Sequence, residues 1–373
     1  MPVEHAALRE LAAVLHPGAE VVEVEPLGPD AAGAADQPKA LGYGRPLRVT
    51  LRLPEGRIAR FVFRLQAANE FGHDRRADRA EAALLAFDLF NRTPDHVPAL
   101  EVGAIGPGGA LIRLGGAGEF WLATGWAEGT LYAEDLRRIA REGTAGPLDL
   151  ARCEALARWL VRLHARKLDD PAAWRRALRD LLGHGEGIFG MVDAWAGGAP
   201  GAPPARLRAI EERCLAWRWR LRERAGRLSR THGDFHPFNL VFRPPGPGED
   251  GTGFTALDAS RGGKGDPADD VTALSVNYVF FALDHRAAWP QGLGALWRRF
   301  WETYLAGARD PGLLEAAPPW LAWRALVLAS PRFYPGLSAA ARDAVLSLAE
   351  RALDAGRLDP GAAEELLGKE EGG

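Results

Sequence analysis

The order of strand and helix patterns is the feature of this 373-residue sequence that most restricts its fold. Residues 21–27 and 47–53 alternate apolar with polar side chains, which predicts strands that bury one face. The turn Pro54-Glu55-Gly56 leads into a third such run at residues 58–65, and the second and third runs together are typical of a β-hairpin. The first third of the chain is therefore predicted to contain an antiparallel sheet.

Weaker patterns complete this first third. Residues 77–90 carry apolar side chains at helical spacing and are predicted to form a helix. Three short runs, at residues 100–105, 110–114 and 120–124, are predicted to be strands. Residues 28–44 are rich in Gly, Ala and Pro and contain too few apolar side chains to predict an element.

Helical periodicity dominates from residue 131 onward, with long amphipathic stretches at residues 149–164 and 205–224. Two strand-like runs, at residues 239–242 and 254–257, flank a turn-rich insert and indicate a second hairpin. Because strands and helices do not alternate regularly, a doubly wound parallel sheet is not expected. We predict an α+β fold with two lobes: a small β-rich N-terminal lobe at residues 1–125 and a large, mainly helical C-terminal lobe at residues 126–373.

The charge balance argues against several classes of partner. The formal net charge is −3, so neither nucleic acid nor an anionic membrane surface is an expected partner. No apolar run is long enough to span a bilayer, and residues 1–15 lack the order of features of a signal peptide. The two cysteines, Cys153 and Cys214, have no metal-ligand spacing around them and suit a reducing compartment. A cytoplasmic protein is the expectation.

The densest polar cluster lies at residues 231–239, and an aspartate follows the next strand-like run at Asp258. Phosphoryl transfer from a magnesium nucleotide needs one carboxylate at the attacking hydroxyl, and an amide oxygen and a second carboxylate to hold the metal. Asp234, Asn239 and Asp258 offer these three groups, and pairing of the second hairpin would bring Asn239 beside Asp258. The alternative is that Asp234 and Asn239 serve only as turn and capping residues.

Residues 232–239, with the sequence HGDFHPFN, resemble the catalytic loop of the aminoglycoside phosphotransferase and choline kinase-like family at every fixed position. Residues 265–270, GDPADD, resemble the stretch that follows in that family. The resemblance implies a protein kinase-like fold in which Asp234 is the catalytic base and Asn239 and Asp258 are magnesium ligands. It also implies that Asp270 braces the catalytic loop.

The resemblance further implies nucleotide contacts in the N-terminal lobe. Arg64 stands where the family has a lysine that grips the phosphates, and Glu81 on the following helix is its expected partner. An arginine can hold a phosphate with two hydrogen bonds, but its fork and reach differ from those of lysine. Arg64 therefore either preserves nucleotide binding or marks reduced activity, and Glu81 is otherwise a solvent-facing carboxylate. Gly42 and Gly44 are the candidates for a phosphate-covering loop.

From these features we predict an ATP- and Mg²⁺-dependent small-molecule kinase, a phosphotransferase with an alcohol group as acceptor. Its expected partner is a small hydroxylated acceptor, whose identity the sequence leaves open. The alternative is a nucleotide- or metabolite-binding protein that has the kinase-like fold and little catalytic activity. Arg64 motivates that alternative, whereas the complete set of Asp234, Asn239 and Asp258 argues against it.

Overall fold

The chain divides into two units, Met1–Thr124 and Gly125–Gly373, in a computed structural model. The structure describes residues 5–27, 44–69, 71–195, 197–259 and 261–367. The predicted α+β class is confirmed, because the first unit contains a sheet and the second is mainly helical. The predicted roles of the two lobes, nucleotide binding and acceptor binding, stay predictions.

The first unit is built on the predicted hairpin. Its sheet has the order β1 (Glu20–Pro26), β2 (Gly44–Arg52) and β3 (Ile58–Gln66), and both pairs of strands are antiparallel. Val49 of β2 lies opposite Phe61 of β3, and both side chains are buried on the face that covers the core. The helix α1 (His5–Leu15) presents Leu8 and Leu11 to the same cluster, as their spacing of three residues requires.

Three smaller elements follow in this unit. The predicted helix is present as α2 (Arg76–Phe90), and the carboxylate of Asp78 accepts a hydrogen bond from the backbone N–H of Arg75 at its start. The strands β4 (Gly103–Ile105) and β5 (Leu111–Arg113) pair antiparallel, which confirms two of the three short strands predicted here.

The third predicted short strand, at residues 120–124, is wrong. This segment has no regular structure and pairs with no strand in the part of the chain that the structure describes. The side chains of Phe120, Trp121 and Leu122 are exposed. Apolar composition favoured a strand, but an extended segment becomes a strand only where a neighbour accepts and donates its backbone hydrogen bonds.

The second unit is mainly helical. The strands β6 (Thr130–Leu131), β8 (Leu240–Phe242) and β9 (Phe254–Ala256) form one antiparallel sheet, and β7 (Ser229–Arg230) pairs with β10 (Lys264–Gly265). The helices are α3 (Tyr132–Glu142), α4 (Pro147–His164), α5 (Pro171–Gly183), α6 (Ile188–Asp193), α7 (Pro204–Leu221), α8 (Pro267–Ala282), α9 (Leu293–Ala308), α10 (Leu313–Ala316), α11 (Pro318–Ala329), α12 (Ala339–Ala355) and α13 (Ala362–Leu367).

The core of this unit surrounds α8, which is buried along nearly its whole length. The helices α9, α11 and α12 pack against it, and the large side chains of Trp174, Trp289 and Trp297 are fully buried in the same cluster. The few polar side chains of α8, Asp269 and Asp270 among them, are buried with the apolar ones, so this helix lies inside the core rather than at a surface. Within the described residues, no helix is both long enough and apolar enough to cross a membrane.

Gly129 stands where the chain enters β6, and its backbone has a φ of +140°. A Cβ atom at this position would lie 2.1 Å from the backbone oxygen of Phe242. That carbonyl belongs to β8, whose Phe242 is paired with Thr130 of β6. Only glycine therefore permits this approach of the two strands.

We expect Gly129→Ala to lower the free energy of unfolding of the second unit by about 1–3 kcal/mol, because the strained backbone and the clash must be relieved together. The measurement is urea unfolding followed by tryptophan fluorescence. Gly125→Ala is the matched control, since a Cβ atom there meets nothing within 4 Å. Equal unfolding midpoints for the two variants would contradict the steric role of Gly129.

Candidate active site

The loop of residues 232–239 connects β7 to β8 and is anchored by an aromatic side chain. Phe235 is fully buried and stacks on Trp159 of α4, with ring centroids 5.0 Å apart and planes at 6°. Residues Pro237–Asn239 form one 3₁₀ turn, in which Nδ1 of His236 accepts a hydrogen bond from the backbone N–H of Phe238 at 3.3 Å. Buried side chains and polar groups thus alternate along the loop. Movement of the loop would disturb the packing of Phe235 against Trp159.

Asp270, at the start of α8, braces this loop in the way that the family resemblance implies. Its two carboxylate oxygens accept the backbone N–H groups of His232 at 2.7 Å and Gly233 at 2.8 Å. His164 Nε2 lies 3.0 Å from the carboxylate, and its Nδ1 lies 2.7 Å from the hydroxyl of Tyr304. One tautomer of His164 gives each of these groups a hydrogen-bond partner: Nε2–H donates to Asp270, and Nδ1 accepts from the hydroxyl of Tyr304.

The environment of Asp270 keeps its carboxylate ionised. Complete burial would raise its pKa, but the hydrogen bonds from His164 and from the two backbone N–H groups outweigh burial and lower it. A buried carboxylate that is fully hydrogen-bonded fixes the position of the groups that donate to it. Gly233 meets this requirement with a φ of +86°, a conformation that glycine adopts without strain.

Asp234 lies inside the protein, with 7% of the residue exposed. Its Oδ1 accepts a hydrogen bond of 2.8 Å from Nη1 of Arg324, which is itself buried in α11. The other terminal nitrogen of Arg324 donates to the backbone oxygen of Gly233 at 3.0 Å and to Asp269 Oδ1 at 2.6 Å. One guanidinium group therefore joins α11, the loop and α8.

Two further basic side chains face Asp234. Arg261 Nη1 lies 3.6 Å from Oδ1, and His236 Nε2 lies 3.5 Å from Oδ2. Burial would raise the pKa of Asp234, but His236, Arg324 and Arg261 together outweigh it and hold that pKa well below its usual range. Asp234 is therefore ionised throughout the neutral range.

Asn239 and Asp258 are brought together by the pairing of β8 with β9. The backbone N–H of Leu257 donates to the backbone oxygen of Asn239 at 2.8 Å, which places Asp258 next to it. The Nδ2 group of Asn239 donates to the backbone oxygen of Asp234 at 3.0 Å, so Oδ1 is the atom that can accept a cation. Asp258 is exposed and has a φ of +53°, an uncommon conformation that aspartate tolerates better than most residues.

The donor set of Asn239 and Asp258 fits Mg²⁺, which prefers oxygen ligands and retains waters and substrate phosphates around it. Across the described residues, no three His, Cys, Asp or Glu side chains are grouped so as to hold a metal ion by themselves. The two residues that the sequence proposed as metal ligands are thus neighbours, and each offers an oxygen.

The structure leaves the predicted nucleotide contacts apart. Arg64 in β3 and Glu81 in α2 are both exposed, and no ion pair joins them in the described part of the chain. Gly44 is the first residue of β2, opposite Gln66, and Gly42 lies outside the described residues. The role of all four residues in nucleotide binding stays a prediction.

Sequence reasoning missed two functional side chains, Arg324 and Arg261. Both guanidinium groups lie over the ring of Trp323, at 3.9 Å and 5.0 Å from its centroid. Arg324 is 90 residues away from Asp234 along the chain, inside an apolar helix that predicts only packing. The one available signal is an arginine on a helix face that otherwise consists of buried side chains, since such a charge requires a buried partner.

Comparisons with known proteins place these residues in context. The model of a family described as the phosphotransferase enzyme family matches residues 47–319. That span includes the loop of residues 232–239 and Asp270, whereas Arg324 lies beyond its last residue. No curated protein matches the sequence.

Solved structures also match, at low identity. A glucosamine kinase is 17% identical, with a TM-score of 0.41, over 94% of this chain and 97% of its own. An aminopropanol kinase associated with a microcompartment is 16% identical, with a TM-score of 0.38, over 95% and 99%. A choline kinase from Streptococcus pneumoniae is 13% identical, with a TM-score of 0.32, over 93% and 98%.

We expect Asp270→Ala to lower the free energy of unfolding by about 2–5 kcal/mol, because it leaves two buried backbone N–H groups without an acceptor. Denaturant unfolding of the second unit measures the loss. The control is Asp284→Ala, which removes an exposed carboxylate from the turn that follows the same helix. If both variants unfold at the parent midpoint, Asp270 does not brace the loop.

Proposed function

The chain belongs to the phosphotransferase enzyme family, and from that membership we propose that it is an ATP- and Mg²⁺-dependent kinase of a small hydroxylated molecule. Membership confirms the predicted enzyme class, a phosphotransferase with an alcohol group as acceptor. The donor nucleotide, the metal and the small-molecule acceptor are the proposal. The observation that carries it is the grouping of Asp234, Asn239 and Asp258 around one braced loop.

The proposed role of Asp234 is to orient the acceptor hydroxyl and to take its proton. The carboxylate is ionised at neutral pH, as a proton acceptor must be, and its low pKa makes it a weak base. Asp234 would therefore act mainly by holding the hydroxyl in line with the phosphorus atom. That role suits phosphoryl transfer, in which positioning and charge neutralisation provide most of the rate enhancement.

The proposed metal site consists of Oδ1 of Asn239 and the carboxylate of Asp258. Bound Mg²⁺ would supply positive charge to the phosphates of the nucleotide. The hydrogen bond from Asn239 Nδ2 to the backbone oxygen of Asp234 orients the amide. The proposed metal ligand Asn239 and the proposed base Asp234 are therefore held in place by one hydrogen bond. Arg64, with Glu81, is the proposed contact to the phosphates in the first unit.

A nucleotide-binding protein with little catalytic activity is the second candidate. The observation that favours it is the absence of an ion pair between Arg64 and Glu81 in the described part of the chain, since the family resemblance implies a lysine–glutamate pair there. Calorimetric titration with ATP, with and without Mg²⁺, separates the candidates when it is combined with a turnover assay. Metal-dependent binding without transfer to any acceptor would favour the second candidate.

We expect Mg²⁺-ATP turnover with at least one compound from a panel of sugars, amino alcohols, hydroxy acids and aminoglycosides. Asp234→Ala should lower kcat for that acceptor by about 10²-fold or more, because the acceptor hydroxyl loses its orienting carboxylate. Coupled detection of ADP formation measures both rates. Asp284→Ala, an exposed carboxylate, is the control and should retain the parent rate. An Asp234→Ala variant as fast as the parent would exclude the proposed mechanism.

We expect Asp258→Asn to raise the Mg²⁺ concentration required for half-maximal activity by about tenfold or more, because it removes a charged ligand. Asparagine also tolerates a positive φ, so the backbone at this position is not perturbed. Asp250→Asn, in the turn of the same hairpin, is the matched control. An unchanged Mg²⁺ dependence for Asp258→Asn would place the metal elsewhere.

A further inference from the structure

We propose that Arg324 is a positioning residue for phosphoryl transfer: it occupies Oδ1 of Asp234 and leaves Oδ2 to take the proton of the acceptor. The proposal rests on the proposed function, because it assumes that Asp234 is the base. It concerns a side chain outside the span of the family match, 90 residues away from the catalytic loop along the chain.

The contacts of Arg324 hold its guanidinium group in one place. It donates to Asp234 Oδ1, to the backbone oxygen of Gly233 and to Asp269 Oδ1 at distances between 2.6 and 3.0 Å. Its plane lies 3.9 Å from the ring centroid of Trp323, whose indole N–H donates to the backbone oxygen of Glu186 at 2.7 Å. Only 6% of the side chain is exposed, so water does not compete for these hydrogen bonds.

The two oxygens of Asp234 differ as a result. Oδ1 is engaged by a short, charge-assisted hydrogen bond and has Arg261 nearby. The contacts of Oδ2 are long: 3.4 Å from Asn239 Nδ2 and 3.5 Å from His236 Nε2. Hydrogen bonds of that length are weak, so Oδ2 retains the capacity to accept a hydroxyl proton. The carboxylate is thereby presented to the acceptor in a single orientation.

A purely structural ion pair would explain part of this arrangement. Arg324 joins α11 to α8 through Asp269, and that contact alone would hold the two helices together. The hydrogen bonds to Gly233 and Asp234 add nothing to helix packing, but they do position the catalytic loop. The structural role therefore predicts a loss of stability alone, whereas the positioning role predicts a loss of kcat in protein that remains folded.

The variant for the test is chosen so that the buried carboxylate of Asp269 is not left charged without a partner. Burial raises the pKa of Asp269 to about 7, with Arg324 acting in the opposite direction. Without Arg324, Asp269 can bind a proton and become neutral, which lowers the cost of the substitution. Arg324→Met with Asp269→Asn serves the same purpose if the single variant does not fold.

Arg342 supplies the matched control. It is an equally buried arginine, on α12, and in the described part of the chain its guanidinium group donates to the backbone oxygens of Ala329 and Pro200 and to no carboxylate. Arg342→Met should lower the thermal midpoint and leave kcat unchanged. Arg324→Lys is the conservative variant, since it retains the positive charge without the planar fork.

We expect Arg324→Met to lower kcat by about 10²-fold, while KM for ATP stays at the parent value. Arg324→Lys should restore part of the lost kcat, because it returns a positive charge beside Oδ1 of Asp234. An Arg324→Met variant with the parent kcat would overturn the proposal. So would an Arg342→Met variant that loses kcat by the same factor.

A parent protein that transfers no phosphoryl group to any acceptor of the panel would instead overturn the proposed function, on which the role of Arg324 rests.

Discussion

The hydrogen bonds from the catalytic loop to Asp270 are the interaction on which the rest of the site depends. A carboxylate or a backbone N–H group that is buried without a hydrogen-bond partner lowers stability. Here the carboxylate of Asp270 accepts the N–H groups of His232 and Gly233, so both kinds of group have partners. The same carboxylate is held by His164, so α4, α8 and the loop meet at one residue. Because this contact places the backbone of His232 and Gly233, it also sets the direction in which the next residue, Asp234, projects.

Three buried aspartates around this loop, Asp234, Asp269 and Asp270, differ in their pKa because their partners differ. The pKa values of Asp270 and Asp234 are lowered, since several donors and cations surround each carboxylate and outweigh its burial. Asp269 shares a single guanidinium group with Asp234 and lies beside the charge of Asp270, so burial prevails and its pKa rises. Arg324 therefore donates hydrogen bonds to two carboxylates: that of Asp234, to which we assign the chemistry, and that of Asp269, which connects α11 to α8.

Features that depend on neighbouring residues were predictable from the sequence. The hairpin of β2 and β3 follows from period-two alternation around a Pro/Gly turn, and the pairing of β8 with β9 places Asn239 beside Asp258. The strand predicted at residues 120–124 failed, because the composition of a segment does not reveal whether a partner strand is available. Arg324 could not be located, because the helix that carries it has the pattern of a packing element.

The sequence by itself determined the fold class, and it proposed the loop of residues 232–239 and three polar residues as the site. These depend on local spacing, which the order of residues states directly. Only the tertiary structure decided which oxygen of Asp234 is engaged by Arg324 and which has only long contacts. That outcome arises from a contact between segments 90 residues apart, and its strength comes from the burial of both partners, which packing alone creates.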